Sequence, residues 1–200
     1  MADIIKLAPK VLKWETGVSS ETRIANGTYK PMTLEEQWAV ARMRGYSNHP
    51  NDSGGATMCG ITLATYSKYR KTKGRNAPTL HDLRNITLSE WLYILKVFYW
   101  DRMKADQIRN QSIANLCVDN VWVSGTGYIR QIQEVLHVKA DGIVGQVTLD
   151  AVNSSDQREL FNRLRERRRV FFSNLVVARK SNGDFIKGWL NRLNDYKFED

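Results

Sequence analysis

The sequence predicts a mainly α-helical protein, and three observations predict it. Apolar residues recur at helical spacing along most of the chain, two Thr-x-x-Glu pairs mark helix starts, and alternating runs of β-branched residues are nearly absent. Thr33 with Glu36 and Thr87 with Glu90 fit the capping box, in which hydroxyl and carboxylate each satisfy an orphan backbone N–H. Helices are therefore expected near 34–44 and 88–100. Further amphipathic stretches run over 62–72, 79–84, 111–123, 126–136, 146–152, 156–179 and 183–194. Sheet is limited to a small hairpin between 17 and 61.

The first helix carries an unusual carboxylate. At 100° per residue Ile4, Leu7, Ala8, Val11, Leu12 and Trp14 share one arc, Lys6, Lys10 and Lys13 share the opposite one, and Glu15 falls within the apolar arc. A carboxyl held among apolar neighbours loses hydration, which disfavours its charged form and suits it to donate a proton. A Glu at a helix end that turns to solvent is the plainer alternative. Pro9 either kinks this helix or opens its regular part, and both leave Val11 to Glu15 helical.

Two long irregular stretches follow, Gly17 to Thr33 and Arg44 to Gly60, and loops of this length are uncommon in a compact domain unless they line a site or are disordered. The second holds Pro50, Asp52, Gly54 and Gly55 among Asn48, Asn51 and Ser53, a composition that brings backbone and polar groups close to a ligand. Around 104–112 the sequence turns polar again. Two lobes are expected, one over 1–108 and a helical one over 109–200.

With 200 residues and 42% apolar content the chain can bury one good core or two small ones. A net charge of +9 attracts anionic polymers: nucleic acid, membrane surfaces or bacterial wall. No base-reading motif is present, so nucleic acid is not expected as a partner. Cys59 and Cys117 lie far apart among apolar residues and read as buried free thiols. Lysines interrupt the apolar positions of the first twenty residues, so no signal peptide is read there and synthesis in the cytoplasm is expected. The apolar run Trp91 to Trp100 contains Lys96 and is too short to span a bilayer, so stable membrane insertion is not expected. His49, His81 and His137 with two distant cysteines give no metal-ligand spacing, and no phosphate-cradling loop or nucleophile elbow is found. No metal and no organic cofactor are predicted.

Glu15, Asp52 and Thr57 form an order that glycoside hydrolysis can use. One protonated carboxyl donates to the leaving oxygen, and a second group steadies the cationic transition state or activates water. Thr57 would hold that water or orient the second carboxylate. Spacing alone favours a turn role for Asp52 in a Gly-rich loop.

The chain reads Trp14-Glu15-Thr16-Gly17 and then, after residues 18–44, Gly45-Tyr46-Ser47-Asn48-His49-Pro50-Asn51-Asp52-Ser53-Gly54-Gly55-Ala56-Thr57-Met58-Cys59-Gly60-Ile61-Thr62. This resembles the lysozyme-like muramidases of glycoside hydrolase family 108, whose first helix ends in Glu-Gly-Gly-Tyr and runs into an Asn-Asp-Pro-x-Asp-x-Gly-Gly-Ala-Thr-x-x-Gly-Ile-Thr segment. The resemblance implies a lysozyme-like helical fold, makes 1–108 the catalytic lobe with 18–44 as an insertion, makes Glu15 the catalytic acid and carries Asp52 and Thr57 as its supporting residues. Thr16 stands for a Gly and His49 for an Asp. An ungapped register puts Met43, which cannot donate a proton, at the catalytic position.

Tyr46 and Asn48 within the motif, and Tyr99 and Trp100 in the similar segment Phe98 to Gln107, are candidates for substrate contact. The two later aromatics read equally as core. The C-terminal part resembles the peptidoglycan-binding domain that accompanies this catalytic domain, over Ile129 to Leu136, Ala140 to Leu149 and Phe185 to Arg192. In it, Asp141-Gly142-Ile143 reads as a tight turn entering a helix. Arg163, Arg165, Arg167, Arg168 and Arg169 read as the solvated face of a helix whose Leu160, Phe161, Leu164, Phe171, Phe172 and Leu175 turn inward.

The resemblance implies hydrolysis of the β-1,4 bond between N-acetylmuramic acid and N-acetylglucosamine in peptidoglycan strands, at the cell wall. A holin or an export machinery would deliver the protein there. A noncatalytic wall-binding or assembly protein with a degenerate site is the alternative.

Overall fold

The computed structural model describes residues 1–25, 27–48 and 55–199, so Asp52 and His49 lie outside the described residues. The chain forms two compact units, one of residues 5–96 and one of 1–4 with 97–200. Helix dominates both, and the strands are small antiparallel pieces confined to the first.

In the unit of 5–96, a short 3-10 turn at Ile4–Lys6 leads into α1 (Ala8–Thr16). Pro9 takes one of its first two positions, where its missing N–H would have had no helical partner. The regular helix thus starts beside Pro9, and no kink is needed. Ala8, Val11 and Leu12 form its buried face, and Gly17 ends it in the left-handed conformation with its N–H on the Lys13 carbonyl.

The next residues pair as β1 (Glu21–Arg23) and β2 (Tyr29–Pro31), whose six residues are all exposed. Then comes α2 (Leu34–Arg44), opened by the complete Thr33–Glu36 capping box, packing on α1. Gln37 fixes this contact: buried, its Nε2 donates 3.0 Å bonds to the carbonyls of Pro9 and Val18. The segment 18–44 is therefore tied to the first helix through Pro9 and to its own start at Val18.

A second sheet joins β3 (Tyr46–Ser47), β4 (Thr57–Met58) and β5 (Ile61–Thr62) in that order. Two small sheets thus occupy the region where one hairpin is expected, and β5 runs one residue past its limit. Each strand is too short to show alternation in sequence. Thr62 caps α3 (Leu63–Thr72), followed by α4 (Leu80–Arg84) and α5 (Leu88–Leu95), both opened by capping boxes. Trp91 of α5 is fully buried, its ring centroid 5.9 Å from that of Trp38.

A π-helical turn, Lys96–Trp100, continues α5 where one helix to 100 is expected. In the second unit α6 (Gln111–Ser124) is buried on nearly every side from Ser112 to Trp122, the signature of a central core helix. Around it lie α7 (Ile129–Val135), α8 (Gln146–Ser154), α9 (Gln157–Ala178) and α10 (Gly183–Asp195). Asp119 of α6 and Arg192 of α10 form a part-buried, two-pronged ion pair, with Nη2 at 2.6 Å and Nε at 3.0 Å.

On α9 the inward side holds Leu160, Phe161, Leu164 and Phe172 as expected, but Arg168 joins them. Only 1% exposed, it donates to Ser124 Oγ at 2.8 Å and lies over the rings of Tyr128, Phe171 and Phe172. The solvated-face reading of Arg168 is corrected: its guanidinium replaces lost hydration with aromatic faces and one hydroxyl. Both cysteines are free and buried, Cys59 in the first unit and Cys117 in the second.

Candidate active site

The geometry of the site begins at the two-residue connection between β4 and β5. Cys59 and Gly60 both have positive φ, 47° and 80°, the requirement of the tightest hairpin turn. Gly60 adopts this freely, whereas Cys59 has to be held. Its N–H donates to the Gly45 carbonyl at 2.8 Å, and its carbonyl accepts the indole N–H of Trp91 at 2.9 Å. Its thiol fills the space beside Gly45, where a Cβ would lie 2.4 Å from Sγ.

Glu15 meets the other side of this turn. It sits on the last turn of α1, three and four residues after the buried Leu12 and Val11, and is itself part-buried. Its carboxyl lies directly over the Gly60 backbone, so that a Cβ built at Gly60 would stand 2.6 Å from both Cδ and Oε2. Burial, and then the Glu15 carboxylate, push the Cys59 thiol up to about 12 against the opposing pull of Arg42. The electrostatic environment of the turn is therefore shared by α1 and by Arg42 of α2.

Thr57 is part-buried on β4, opposite Ser47 on one side and Thr62 on the other. Tyr46 lies on β3 opposite Met58, with the Arg84 guanidinium 3.9 Å from its ring centroid. Asn48 is exposed just beyond β3. Glu15, Tyr46, Asn48 and Thr57 thus belong to one compact unit, three of them on or beside a single small sheet. Met43, the alternative catalytic position, is 83% exposed on the last turn of α2.

Tyr99 and Trp100 belong to the other unit. Tyr99 is part-buried against Trp122, centroids 4.7 Å apart. Trp100 is completely buried and donates its indole N–H to Asp106 at 2.7 Å, so its ring has the core placement, one of the two its sequence allows. The Asp141 turn is also committed to structure: Gln133 accepts from the Gly142 N–H at 2.7 Å and donates to Asp141 and to the Ile143 carbonyl at 3.0 Å. Backbone and side-chain donors to Asp141, led by the Ile143 N–H, hold its carboxyl below the usual carboxylate range.

Sequence reasoning missed Gly45, Gly60, Trp91 and Gln37 as the parts that position Glu15 and its turn. For the glycines a signal exists, since a two-residue Cys-Gly connection flanked by Met58 and Ile61 fits a hairpin. For Gln37 and Trp91 there is none, because each acts across more than ten residues of chain.

Comparison with known proteins agrees with this architecture. Residues 37–125 match the Glycosyl hydrolase 108 family, and residues 128–194 match the family described as Predicted Peptidoglycan domain. The chain thus carries a Glycosyl hydrolase 108 domain with a peptidoglycan domain behind it, and is a glycosidase that acts on peptidoglycan. The first match takes in Tyr46, Asn48, Asp52, Thr57, Tyr99 and Trp100 and begins after Glu15. The structure of SagA from Brucella abortus is similar over 76% of this chain and 82% of that one, with a TM-score of 0.64 and 28% identity. No curated protein matches the chain. No helix among the described residues is long and apolar enough to cross a membrane.

Proposed function

We propose that the protein cleaves the β-1,4 bond between N-acetylmuramic acid and N-acetylglucosamine, with Glu15 as the proton donor. The observation that supports this assignment is the contact of the Glu15 carboxyl with Gly60, inside the Gly54 to Thr62 segment of the motif. Glu15 gives its proton to the bridging oxygen as the bond from that oxygen to the anomeric carbon breaks. The ring left behind carries oxocarbenium character, and water adds to its anomeric carbon. Asp52 and Thr57 steady that cation or the incoming water, and Tyr46 and Asn48 contact the strand. The site of action is the wall, which a holin or an export machinery lets the protein reach.

Purified peptidoglycan tests the assignment. Wild-type protein should release soluble muropeptides with new reducing ends, and Glu15→Gln should lose about 10²- to 10⁴-fold of that rate while keeping its circular dichroism spectrum. Met43→Ala should keep the rate. An active Glu15→Gln, an inactive Met43→Ala, or a wild type that binds wall and releases nothing each refutes the proposal.

A further inference from the structure

We infer that the second unit contains a separate pocket for the peptide stem of peptidoglycan, one that grips an amino-acid centre carrying both an ammonium and a carboxylate. The inference rests on the reading that the chain acts on peptidoglycan, and it concerns a place remote in sequence from Glu15 and its turn. The pocket is a cleft of about 440 Å³ lined by Gln107, Arg109, Gln146, Leu149, Asp150 and Asn153, among others. That volume suits one or two amino-acid residues of a ligand.

Its polar wall is already fixed. Asn153 accepts the Arg109 N–H at 2.9 Å through Oδ1 and donates to the Gln107 carbonyl at 2.9 Å through Nδ2, which clamps the 107–109 segment to α8. Gln146 donates to one oxygen of Asp150 at 2.7 Å, one helical turn along. Leu149 adds apolar surface to the lining.

The charged side chains of the cleft, Arg109 and Asp150, are exposed and not spent on each other, and Met1 with its α-ammonium lines the cleft as well. Among the described residues the Arg109 guanidinium makes no ion pair or hydrogen bond, and the second Asp150 oxygen accepts none. A cleft that offers cations and a carboxylate together complements a ligand carrying both a carboxylate and an ammonium, because each ligand charge then meets its opposite. A glycan strand offers no ammonium. The stem peptide offers both charges on one carbon when its third residue is a diamino diacid with a free distal end.

The full chain, labelled with nitrogen-15, tests this with the tetrapeptide L-Ala-γ-D-Glu-meso-diaminopimelyl-D-Ala. Amide shifts should cluster at 107–109 and 146–154, and Arg109→Ala and Asp150→Ala should each weaken binding about tenfold or more. The same peptide with L-Lys third lacks the distal carboxylate and should bind about tenfold more weakly, with Arg109→Ala making little further difference. Absence of shifts at the cleft, binding indifferent to both substitutions, or the same shifts from chitotetraose would overturn the proposal. No bond is cut in this measurement, so an inactive Glu15 site leaves its outcome unaffected, and active hydrolysis with no peptide binding refutes the pocket alone.

Discussion

A glycine decides where the Glu15 carboxyl can be. The carboxyl rests on the Gly60 backbone at a distance that no Cβ could share, and Gly60 also has a φ of 80°. Gly60→Ala therefore adds two costs: about 1–2 kcal/mol for an L-residue in the left-handed region, and displacement of the carboxyl. A shift of about 1 Å in a reacting group can cost about 10²-fold in rate. Muropeptide release should fall by about that factor, with a lowered melting temperature and intact binding to sacculi. An unchanged rate would mean that the carboxyl does not work from this position. The placement of Glu15 was half legible: helical phase put it beside Val11 and Leu12, but only a built turn shows what stands opposite. Arg168 was not legible as a core residue: it lies four residues from both Leu164 and Phe172, but the surrounding arginines masked that spacing.

At the scale of elements, the helices were legible because they announce their own ends. Thr33–Glu36, Thr79–Asp82 and Thr87–Glu90 all form complete capping boxes. The β1–β2 ribbon leaves no alternating pattern in the sequence for a physical reason. All six of its residues are exposed, so no buried face imposes alternation, and backbone pairing alone defines it. The inserted segment nevertheless contributes structurally through α2, because Gln37 satisfies the carbonyls of Pro9 and Val18 together. Gln37→Ala removes both donors and leaves the buried Val18 carbonyl without this partner, a cost of about 1–3 kcal/mol. Since one carbonyl lies in the first turn of α1 and the other just past its end, the variant should also slow wall digestion. Thr33→Ala, which removes only a cap, should cost about 1 kcal/mol at unchanged specific activity. Denaturant unfolding and muropeptide release on the same preparations separate the two effects.

For the molecule as a whole, the two units share one chemical property: each buries a single free thiol. Burial raises Cys59 and Cys117 from 9.0 to about 12 in the folded protein. Below about pH 9 both thiols are protonated in folded and unfolded chains alike, and their contribution to stability is fully present. Between pH 9 and pH 12 the unfolded chain releases these protons and the folded one keeps them, so the folded state binds more protons and stability falls as pH rises. Each thiol should steepen that fall by about 1.4 kcal/mol per pH unit. Urea unfolding at pH 8 and at pH 10.5 checks this, with Cys59→Ala and Cys117→Ala each expected to show a shallower loss than wild type. A loss of equal slope in wild type and in Cys117→Ala would show that the thiol at the centre of α6 ionises as freely in the folded protein as in the unfolded chain, which full burial forbids.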